Sequence, residues 1–471
     1  MMDNRNPEKV KRIHLIAICG TGMGALACML KEAGFEVSGS DHHVYPPIST
    51  LLSKKGIRIA EGFRPENLSH RPDLVVVGNA VSKDNPEVVH VLESGIPYCS
   101  LPQVLNRFFI HGKATLAVVG THGKTTTSAL LAWVLSVAGL DPGFMVGGIL
   151  KNLDRNYNVG TGPYYVVEGD EYDTAFFDKG PKFLHYLPSR AILTSVEFDH
   201  ADIYRDLDHV KQAFVDFVTA MPEEALLVAC DIAPTVRELV TQAPCWVVMY
   251  GFEERSPWKL ENVHVDPPWT HLEVTIRGEP FATFKTPLIG RHNALNALAV
   301  VAMADDLGIS KDIISKAFET FEGVKRRQEV RGMKRGITVM DDFAHHPTEV
   351  RETLAAIHAF YANSRIIAVF EPRTNSSRRK VFQKVYPESF DDADLVCIRK
   401  PPMLDKIPAE ERFSSEQLTK DLRDRGKEAF CFLDTEAIID YLTRIAEPKD
   451  VILIMSNGGF DNIHERLLKR L

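Results

Sequence analysis

The chain has 471 residues, 63 acidic and 55 basic side chains and a net charge of −8, so its charge does not favour nucleic acid or an anionic membrane as a partner. Its seven cysteines form no CxxC pair, which argues against a disulfide framework and a structural zinc site. The amino terminus is polar and no run of 18 apolar residues occurs, so we expect a cytoplasmic protein without a signal peptide.

The first region has the pattern of a parallel, doubly wound α/β unit. Its strands are predicted at 13–18, 35–39 and 73–77, and its helices at 22–34 and 48–55. The pattern ends near residues 103–112, and a new strand begins at Ala114. At about 150 residues per domain, the length of the chain predicts three domains.

A glycine loop joins the first predicted strand to the first helix. Gly20, Gly22, Met23 and Gly24 lie in a GxGxxA string, and Asp41 ends the second predicted strand. Such a turn requires only close backbone approach to a diphosphate at a helix N-terminus, and UDP meets that requirement as well as NAD does. The loop alone therefore leaves an NAD site and a UDP site open.

A second phosphate loop follows the strand that begins at Ala114. The loop consists of Gly120, Thr121, His122, Gly123, Lys124, Thr125 and Thr126. It is a shortened form of the GxxxxGK[ST] pattern, with Val118 where that pattern has its first glycine. We expect Lys124 to reach the β and γ phosphates of ATP and Thr125 to ligate Mg²⁺. Two phosphate loops indicate a nucleotide-linked substrate and a separate energy source.

The remaining strands complete a central domain and begin a third one. Further central strands are predicted at 164–168 and 190–196, with a hairpin at 270–285 that makes the sheet mixed. The third series has strands near 337–341, 365–371, 393–398, 429–432 and 451–455. We therefore predict three α/β domains: a Rossmann-like domain at 1–112, a P-loop ATPase domain at 113–326 and a Rossmann-like domain at 327–471.

Acidic and imidazole side chains follow two strands of the central domain. Glu168 ends a strand next to the phosphate loop, where a carboxylate oxygen can ligate Mg²⁺. Asp170 and Asp173 fit a metal site and a solvated acidic loop equally well. Asp199 and His200 close the strand predicted at 190–196, and this position favours a metal or substrate role for His200.

Six motifs together resemble the Mur ligases, the ATP-dependent amide-forming enzymes of peptidoglycan synthesis. They are GTHGKTTT (120–127), EGDEYD (168–173), VEFDHAD (196–202), GRHNALNALA (290–299), VKRRQE (324–329) and DDFAHHPTEV (341–350). The resemblance implies a UDP-sugar domain, a central ATPase and a mobile C-terminal domain for the incoming amine. An NAD-dependent oxidoreductase would leave GTHGKTTT without a function, and folylpolyglutamate-type ligases normally lack the N-terminal domain.

The resemblance also implies roles for individual residues. Gly20, Gly22, Met23 and Gly24 would bind the UDP diphosphate, with Ser40 and Asp41 near the uridine. The ATP site would use the phosphate loop together with His292, Asn293 and Asn296 at the adenine. Thr125 and Glu168 would bind one Mg²⁺, and His200 would face a second. Arg327 would reach the γ-phosphate, and Asp342 would also join the catalytic set on domain closure. Several relatives use a carbamylated lysine, but Lys211 lies too near His200 in the sequence to match it.

Two branches of the family share the donor UDP-N-acetylmuramate but differ in the acceptor, which is L-alanine or the murein tripeptide L-Ala-γ-D-Glu-meso-diaminopimelate. Four strings resemble those of the branch that uses the tripeptide rather than those of the L-alanine branch: SDHHVYPPISTLL (40–52), YDTAFFDKGPKFLHY (172–186), FEPRTNSS (370–377) and MSNGGFDNIHE (455–465). Arg373 and Asn375 are the candidates for peptide carboxylates, whereas Arg378 and Arg379 fit a solvated helix start equally well. L-Alanine stays the alternative acceptor, and we expect a monomer or a weak homodimer.

Overall fold

The computed structural model describes residues 9–45, 48–402, 404 and 407–471. The first eight residues of the polar amino terminus, and the two prolines of the VYPP string, lie outside the described residues. Among the described residues, no helix combines the length and the apolar character that crossing a bilayer requires. The chain divides into two units, which consist of residues 1–196, 211–249 and 303–309, and of residues 197–210, 250–302 and 310–471. We call them the first unit and the second unit.

The first unit begins with a five-stranded parallel sheet in the order β3-β2-β1-β4-β5. Its strands are β1 (Arg12–Ile16), β2 (Glu36–Asp41), β3 (Arg58–Glu61), β4 (Leu74–Val77) and β5 (Tyr98–Ser100). Its helices are α1 (Thr21–Glu32), α2 (Ile48–Lys54), α3 (Pro86–Ser94) and α4 (Leu101–Leu105). All four residues of β4 are buried, because helices cover both faces of such a sheet. The doubly wound parallel unit is confirmed.

The same unit continues with a larger sheet in which β6 lies between β12 and β9 and is parallel to both. The order within this unit is β14-β13-β12-β6-β9-β7-β8, and β7 is antiparallel to β8. The elements that lie wholly or mainly in this unit are β6 (Ala114–Val119), α5 (Lys124–Val137), β7 (Gly143–Leu150), β8 (Arg155–Asn158), β9 (Tyr164–Gly169), β10 (Asp173–Ala175), β11 (Asp178–Pro181), β12 (Arg190–Leu193), α6 (Leu207–Thr219), β13 (Leu226–Cys230), α7 (Pro234–Val240) and β14 (Trp246–Gly251). The predicted mixed sheet is confirmed.

Two predicted strands are too long. The strand predicted at 13–18 ends at Ile16. The sequence predicted a strand at 190–196, but β12 ends at Leu193. The next residues bond to the phosphate loop: Thr194 Oγ1 donates to His122 O at 2.6 Å, and Ser195 O accepts from Thr121 N at 2.8 Å. The chain leaves the sheet at this point because its polar groups support the loop.

The extended acidic string at 172–186 forms an antiparallel hairpin of β10 and β11. Its turn residues, Phe176 and Phe177, pack against the hydrophobic core beside β4 and β5. The Phe177 and Tyr98 rings make an edge contact with their centroids 4.9 Å apart. The hairpin therefore attaches the five-stranded sheet to the region of the phosphate loop.

The second unit contains an antiparallel meander followed by two helices. These elements are β15 (Trp258–Asp266), β16 (Trp269–Ile276), β17 (Glu279–Thr286), α8 (Arg291–Asp306) and α9 (Lys311–Thr320). The meander confirms the hairpin predicted at 270–285. The carboxyl end of α8 passes into the first unit.

A six-stranded sheet in the order β18-β19-β23-β20-β21-β22 forms the rest of the second unit. Its elements are β18 (Glu329–Lys334), β19 (Ile337–Asp342), α10 (Pro347–Phe360), β20 (Ile366–Phe370), α11 (Tyr386–Ser389), β21 (Leu395–Arg399), α12 (Ser415–Asp424), β22 (Glu428–Phe432), α13 (Thr435–Ile445), β23 (Val451–Met455) and α14 (Ile463–Arg470). Buried apolar clusters cover both faces. All five strands predicted in this region are confirmed, whereas the exposed antiparallel edge strand β18 was missed.

Candidate active site

The turn from β6 into α5 has a backbone that only glycine fits at its first position. Gly120 has a φ of +132°, and a Cβ there would lie 2.1 Å from Thr194 Oγ1. Gly123 has a φ of +80° and precedes the first residue of α5. A glycine turn that leads into a helix N-terminus directs backbone N–H groups toward an anion. The loop therefore has the geometry expected of a phosphate site.

Lys124 is a fixed, buried cation in this loop. Its Nζ donates to Gly120 O at 2.5 Å and to Glu171 Oε2 at 2.8 Å. Burial lowers the pKa of Lys124, but the negative charges of Glu171 and Asp170 outweigh burial and raise it overall. No role for Glu171 was predicted from the sequence. The structure shows that Glu171 keeps Lys124 charged and oriented in the loop.

Glu168 and Thr125 place a carboxylate and a hydroxyl side by side. Thr125 Oγ1 donates to Glu168 Oε1 at 2.8 Å, and Gly147 N donates to Oε2 at 2.6 Å. Burial, and then the charge of Asp170, raise the pKa of Glu168. Asp170 itself bonds to Lys182 at 3.0 Å. Oxygen donors next to a phosphate loop are the set that Mg²⁺ prefers, so these residues fit the predicted metal.

The glycine loop after β1 is fixed by Asp41. Asp41 Oδ2 accepts from Cys19 N at 2.8 Å, and Oδ1 accepts from His43 N at 3.1 Å. A Cβ at Gly24 would lie 2.7 Å from Ile48 Cγ2, so α1 and α2 are closely packed here. Gly20 is the N-cap residue of α1. The structure therefore brings together Asp41 and the glycines that the sequence assigned to a diphosphate.

Glu87 is a buried carboxylate behind this loop that the sequence analysis missed. It has no exposed side-chain surface, and its Oε2 accepts from Ser40 Oγ at 2.5 Å. Its Oε1 accepts from Arg64 N at 3.2 Å and from Asn67 Nδ2 at 2.5 Å. Burial raises the pKa of Glu87, but the His14 imidazole, 3.8 Å away, and the hydrogen bonds from Ser40 and Asn67 lower it overall. Ser40 therefore has an internal partner, and its position beside uridine stays a prediction.

The Glu87→Gln variant is expected to weaken UDP binding about tenfold without changing the affinity for ADP. An amide cannot accept hydrogen bonds at both ends, so one buried donor would lose its partner at a cost of about 1–3 kcal/mol. Isothermal titration calorimetry with each nucleotide measures the effect. Glu93→Gln, an exposed change on α3, is the control. Equal losses for UDP and ADP would contradict this positioning role.

In the second unit, His200 lies in a turn that contacts the loop after β20. His200 has a φ of +52°, and its O accepts from Ile203 N at 2.8 Å. Ala201 N donates to Ser376 Oγ at 3.1 Å, and Asn375 Nδ2 donates to Asp202 Oδ2 at 2.8 Å. The segment after His200 is therefore bonded to the string that the sequence assigned to the acceptor.

His345 is a buried imidazole between two carboxylates. Its Nδ1 lies 3.1 Å from Glu349 Oε2, and its Nε2 lies 3.8 Å from Asp199 Oδ2. Burial lowers the pKa of His345, but Glu349 and Asp199 outweigh it and raise the pKa to about 10. The sequence analysis did not single out this residue, although it lies in the DDFAHHPTEV motif. It connects the start of α10 to the residue before His200.

The stability contributed by His345 is expected to depend on pH. Because its folded pKa of about 10 exceeds the ordinary 6.5, the contribution is complete below pH 6.5 and is lost as pH rises through 10. The difference in Tm between wild type and His345→Gln should therefore shrink from pH 6.5 to pH 10. His358→Gln, at a half-exposed position on α10, is the comparison variant. A constant difference for His345→Gln would contradict the charged imidazole.

The predicted adenine motif lies at the start of α8 in the second unit. Asn293 Nδ2 donates to Ile289 O at 2.9 Å and to Gln328 Oε1 at 3.2 Å, and Asn296 Nδ2 donates to Asn293 Oδ1 at 3.2 Å. Both asparagines are buried, and His292 is the second residue of the helix. The motif is thereby joined to the residue that follows Arg327.

Arg327 and Asp342 lie together at the carboxyl end of β19. The Arg327 guanidinium lies over the Phe343 ring, 4.8 Å from its centroid. Asp342 accepts from Gln328 N and from Ala344 N, each at 2.7 Å. Burial raises the pKa of Asp342 to about 6, and the charge of Arg327 opposes this rise. The structure therefore brings these two predicted residues together.

The candidate residues fall into two groups. Gly20, Gly22, Met23, Gly24, Ser40, Asp41, the phosphate loop and Glu168 belong to the first unit. His200, His292, Asn293, Asn296, Arg327, Asp342, Arg373 and Asn375 belong to the second unit. Lys211 pairs with Glu238 at 2.6 Å in the first unit, whereas His200 is in the second.

Three family profiles match consecutive parts of the chain. The Mur ligase family catalytic domain matches residues 12–112, the Mur ligase middle domain matches 118–304, and the Mur ligase glutamate ligase domain matches 326–458. The chain belongs to the Mur ligase family. The three-domain α/β architecture predicted from the sequence is confirmed, whereas its boundaries at residues 112 and 326 stay predictions.

This Mur ligase is similar over nearly its whole length to two kinds of relative. The names of one kind specify a peptide acceptor, and those of the other specify alanine. It is 39% identical to the UDP-N-acetylmuramate–L-alanyl-gamma-D-glutamyl-meso-2,6-diaminoheptandioate ligase of Escherichia coli K12, with 98% of each chain covered. The murein peptide ligase of Psychrobacter arcticus is 33% identical, with a TM-score of 0.73 and 98% of each chain covered. The UDP-N-acetylmuramate-alanine ligase of Thermotoga maritima is 27% identical, with a TM-score of 0.79 over 98% of this chain and 99% of that one.

Proposed function

We propose that this Mur ligase joins the tripeptide L-Ala-γ-D-Glu-meso-diaminopimelate to UDP-N-acetylmuramate and converts ATP to ADP and phosphate. The names and the 39% and 33% identities of the relatives from E. coli and P. arcticus support this acceptor. The reaction returns a peptide to a nucleotide-linked precursor, as in peptidoglycan recycling. Because both co-substrates are nucleotides, we place the reaction in the cytoplasm.

The loop after β20 is the proposed binding site for the acceptor. Asn375 and Ser376 bond to the residues that follow His200, and the same loop contains Arg373 and Arg378. A donor carboxylate near His200 would thus lie next to a loop rich in guanidinium groups. Guanidinium groups bind carboxylates in a bidentate manner, and the tripeptide has three free carboxylates whereas L-alanine has one.

The proposed reaction has two steps. A carboxylate oxygen of the donor attacks the γ-phosphorus of ATP, and the bond from that phosphorus to the β–γ bridging oxygen breaks, which gives an acyl phosphate and ADP. The amine of the acceptor then attacks the acyl carbon, and phosphate leaves as the amine loses a proton. The protein contributes positioning and charge stabilisation, because phosphoryl transfer requires little covalent chemistry from an enzyme.

Residues of the phosphate loop after β6, together with carboxylate, imidazole and guanidinium side chains from other segments, would hold the substrates for these steps. Lys124 would bind the transferring phosphoryl group, and Arg327 would stabilise the charge of the γ-phosphate. Thr125 and Glu168 would hold one Mg²⁺ and His200 would face a second. When bound, these ions neutralise the phosphate charge. Asp41 would keep the glycine loop shaped for the UDP diphosphate.

The L-alanine ligase of de novo peptidoglycan synthesis is the second candidate. The alanine ligase of T. maritima gives the TM-score of 0.79, against 0.73 for the peptide ligase of P. arcticus. This observation favours alanine, because the backbone of this chain is more similar to that of the alanine ligase than to that of the peptide ligase. The sequence identities of 27% and 33% favour the peptide acceptor.

ADP release separates the two candidates. Purified protein is supplied with ATP, Mg²⁺ and UDP-N-acetylmuramate, and L-alanine is compared with the tripeptide as the acceptor. We expect the kcat/KM for the tripeptide to exceed that for L-alanine by at least a hundredfold. Preference for L-alanine would replace the proposal with its alternative. No ADP release with either acceptor would contradict the assignment of UDP-N-acetylmuramate as the donor.

A further inference from the structure

Two arginines share one buried carboxylate at the carboxyl end of the six-stranded sheet. Glu371 directly follows β20 and has no exposed side-chain surface. Its carboxylate accepts from Arg399 and, at 2.7 Å, from Ser456 Oγ. Arg373 NH1 lies 3.6 Å from Glu371 Oε1. A buried charge with several donors has a single stable position, so Glu371 is a rigid anchor for the arginines around it.

Arg373 crosses the backbone of Gly458 in the loop after β23. A Cβ at Gly458 would lie 2.2 Å from Arg373 Cδ and 2.4 Å from its Nε. This backbone is fixed, because Gly458 N donates to Ser456 Oγ at 3.0 Å and Arg326 donates to Gly458 O at 2.6 Å. The Arg373 side chain nevertheless stays 34% exposed. Its guanidinium is therefore held against a glycine but can still reach a ligand.

Three arginines, Arg373, Arg378 and Arg379, lie on the same loop, and Arg379 pairs with Glu411. Arg378 donates to Asn375 Oδ1 at 2.8 Å and to Thr374 O at 3.3 Å. Burial, and then the charges of Arg373 and Arg379, lower the pKa of Arg378. Neighbouring guanidinium groups repel one another, which raises the electrostatic free energy of the protein without ligand. A ligand with several negative charges would remove this repulsion.

We propose that Glu371 and Gly458 hold Arg373 as a carboxylate-binding fork, and that this fork and Arg378 select an acceptor peptide with several carboxylates over a single amino acid. The inference rests on the proposed function and adds to it the residues that set acceptor specificity. Glu371 and Gly458 are positioning residues, since they act through Arg373. A guanidinium that is already fixed loses little conformational entropy when a carboxylate binds.

Two neighbouring glycines provide the test. Gly458→Ala places a methyl group where Arg373 lies, whereas a Cβ at Gly459 has no atom within 4 Å, so Gly459→Ala is a matched control. We expect Gly458→Ala to raise the KM for the tripeptide about tenfold or more, the loss expected for one charge-assisted interaction. The KM for UDP-N-acetylmuramate should change less than twofold, and Gly459→Ala should match wild type.

A double-mutant cycle tests whether Gly458 acts through Arg373. Arg373→Ala should raise the KM for the tripeptide at least as much, and adding Gly458→Ala should produce little further change. If Gly458→Ala does not fold, Arg373→Lys tests the fork itself, because lysine keeps the charge but lacks the planar fork, and it should also raise the KM for the tripeptide. Wild-type KM in Gly458→Ala, or additive effects, would overturn the fork. Wild-type enzyme that uses only L-alanine would instead overturn the proposed function.

Discussion

Lys124→Ala is expected to lower kcat by about 100- to 1,000-fold while the affinity for UDP-N-acetylmuramate stays within a few-fold of wild type. Loss of one preorganised charge at a developing anion costs on the order of 3–4 kcal/mol of transition-state stabilisation. Lys124 donates to the phosphate-loop carbonyls and to Glu171, whereas the glycine loop after β1 is shaped by Asp41. Single-turnover ADP formation and calorimetric UDP-sugar binding measure the two effects separately.

Lys113→Ala is the matched control for this variant. Lys113 immediately precedes β6 and donates to Val159 O and Gly160 O, at the opposite end of the strand from the phosphate loop. We expect the control to affect stability but not the chemical step. A folded Lys124→Ala enzyme with normal turnover, or with an equal loss of UDP-sugar affinity, would show that the phosphate role of Lys124 is wrong.

Arg327→Ala is expected to reduce kcat by a similar factor of about 100 to 1,000, with small changes in the KM for ATP and for the UDP sugar. Its guanidinium lies over the Phe343 ring, and its charge counteracts the burial of Asp342. If it stabilises charge only as the phosphoryl group moves, the loss should fall on kcat. Arg327→Lys should recover part of the rate, because it restores the charge without the planar fork.

The control for Arg327 is Arg331→Ala on the neighbouring edge strand β18. Arg331 pairs with Glu465 at 3.2 Å, and its side chain is 30% exposed. Its removal should leave kcat and both KM values near those of wild type. A large rise in the KM for ATP in Arg327→Ala, without a fall in kcat, would indicate that Arg327 binds ATP equally in the ground state and the transition state.

Most strands could be predicted because a strand buried on both faces is a continuous apolar run between turn residues. Leu74–Val77 and Ile366–Phe370 are completely buried, and the sequence analysis identified both. Glu329–Lys334 was missed because most of this edge strand is exposed and its sequence includes charged residues. The strand at 190–196 was predicted too long. Apolar periodicity does not show that Thr194 and Ser195 leave the sheet and bond to the phosphate loop.

The sequence alone predicted the chemical character of the candidate site, since local spacing places Lys124 and Thr125 at the start of a helix after a glycine turn. Only the tertiary structure showed which buried carboxylate accompanies each cation. Glu171 is 47 residues from Lys124, and Glu371 is 28 residues from Arg399. Separations of this kind follow from sheet order, which brings distant strand ends to one edge. They leave no periodic signal in the sequence, so the partners of Glu87 and Glu371 and the close approach of Arg373 to Gly458 were visible only in the packed structure.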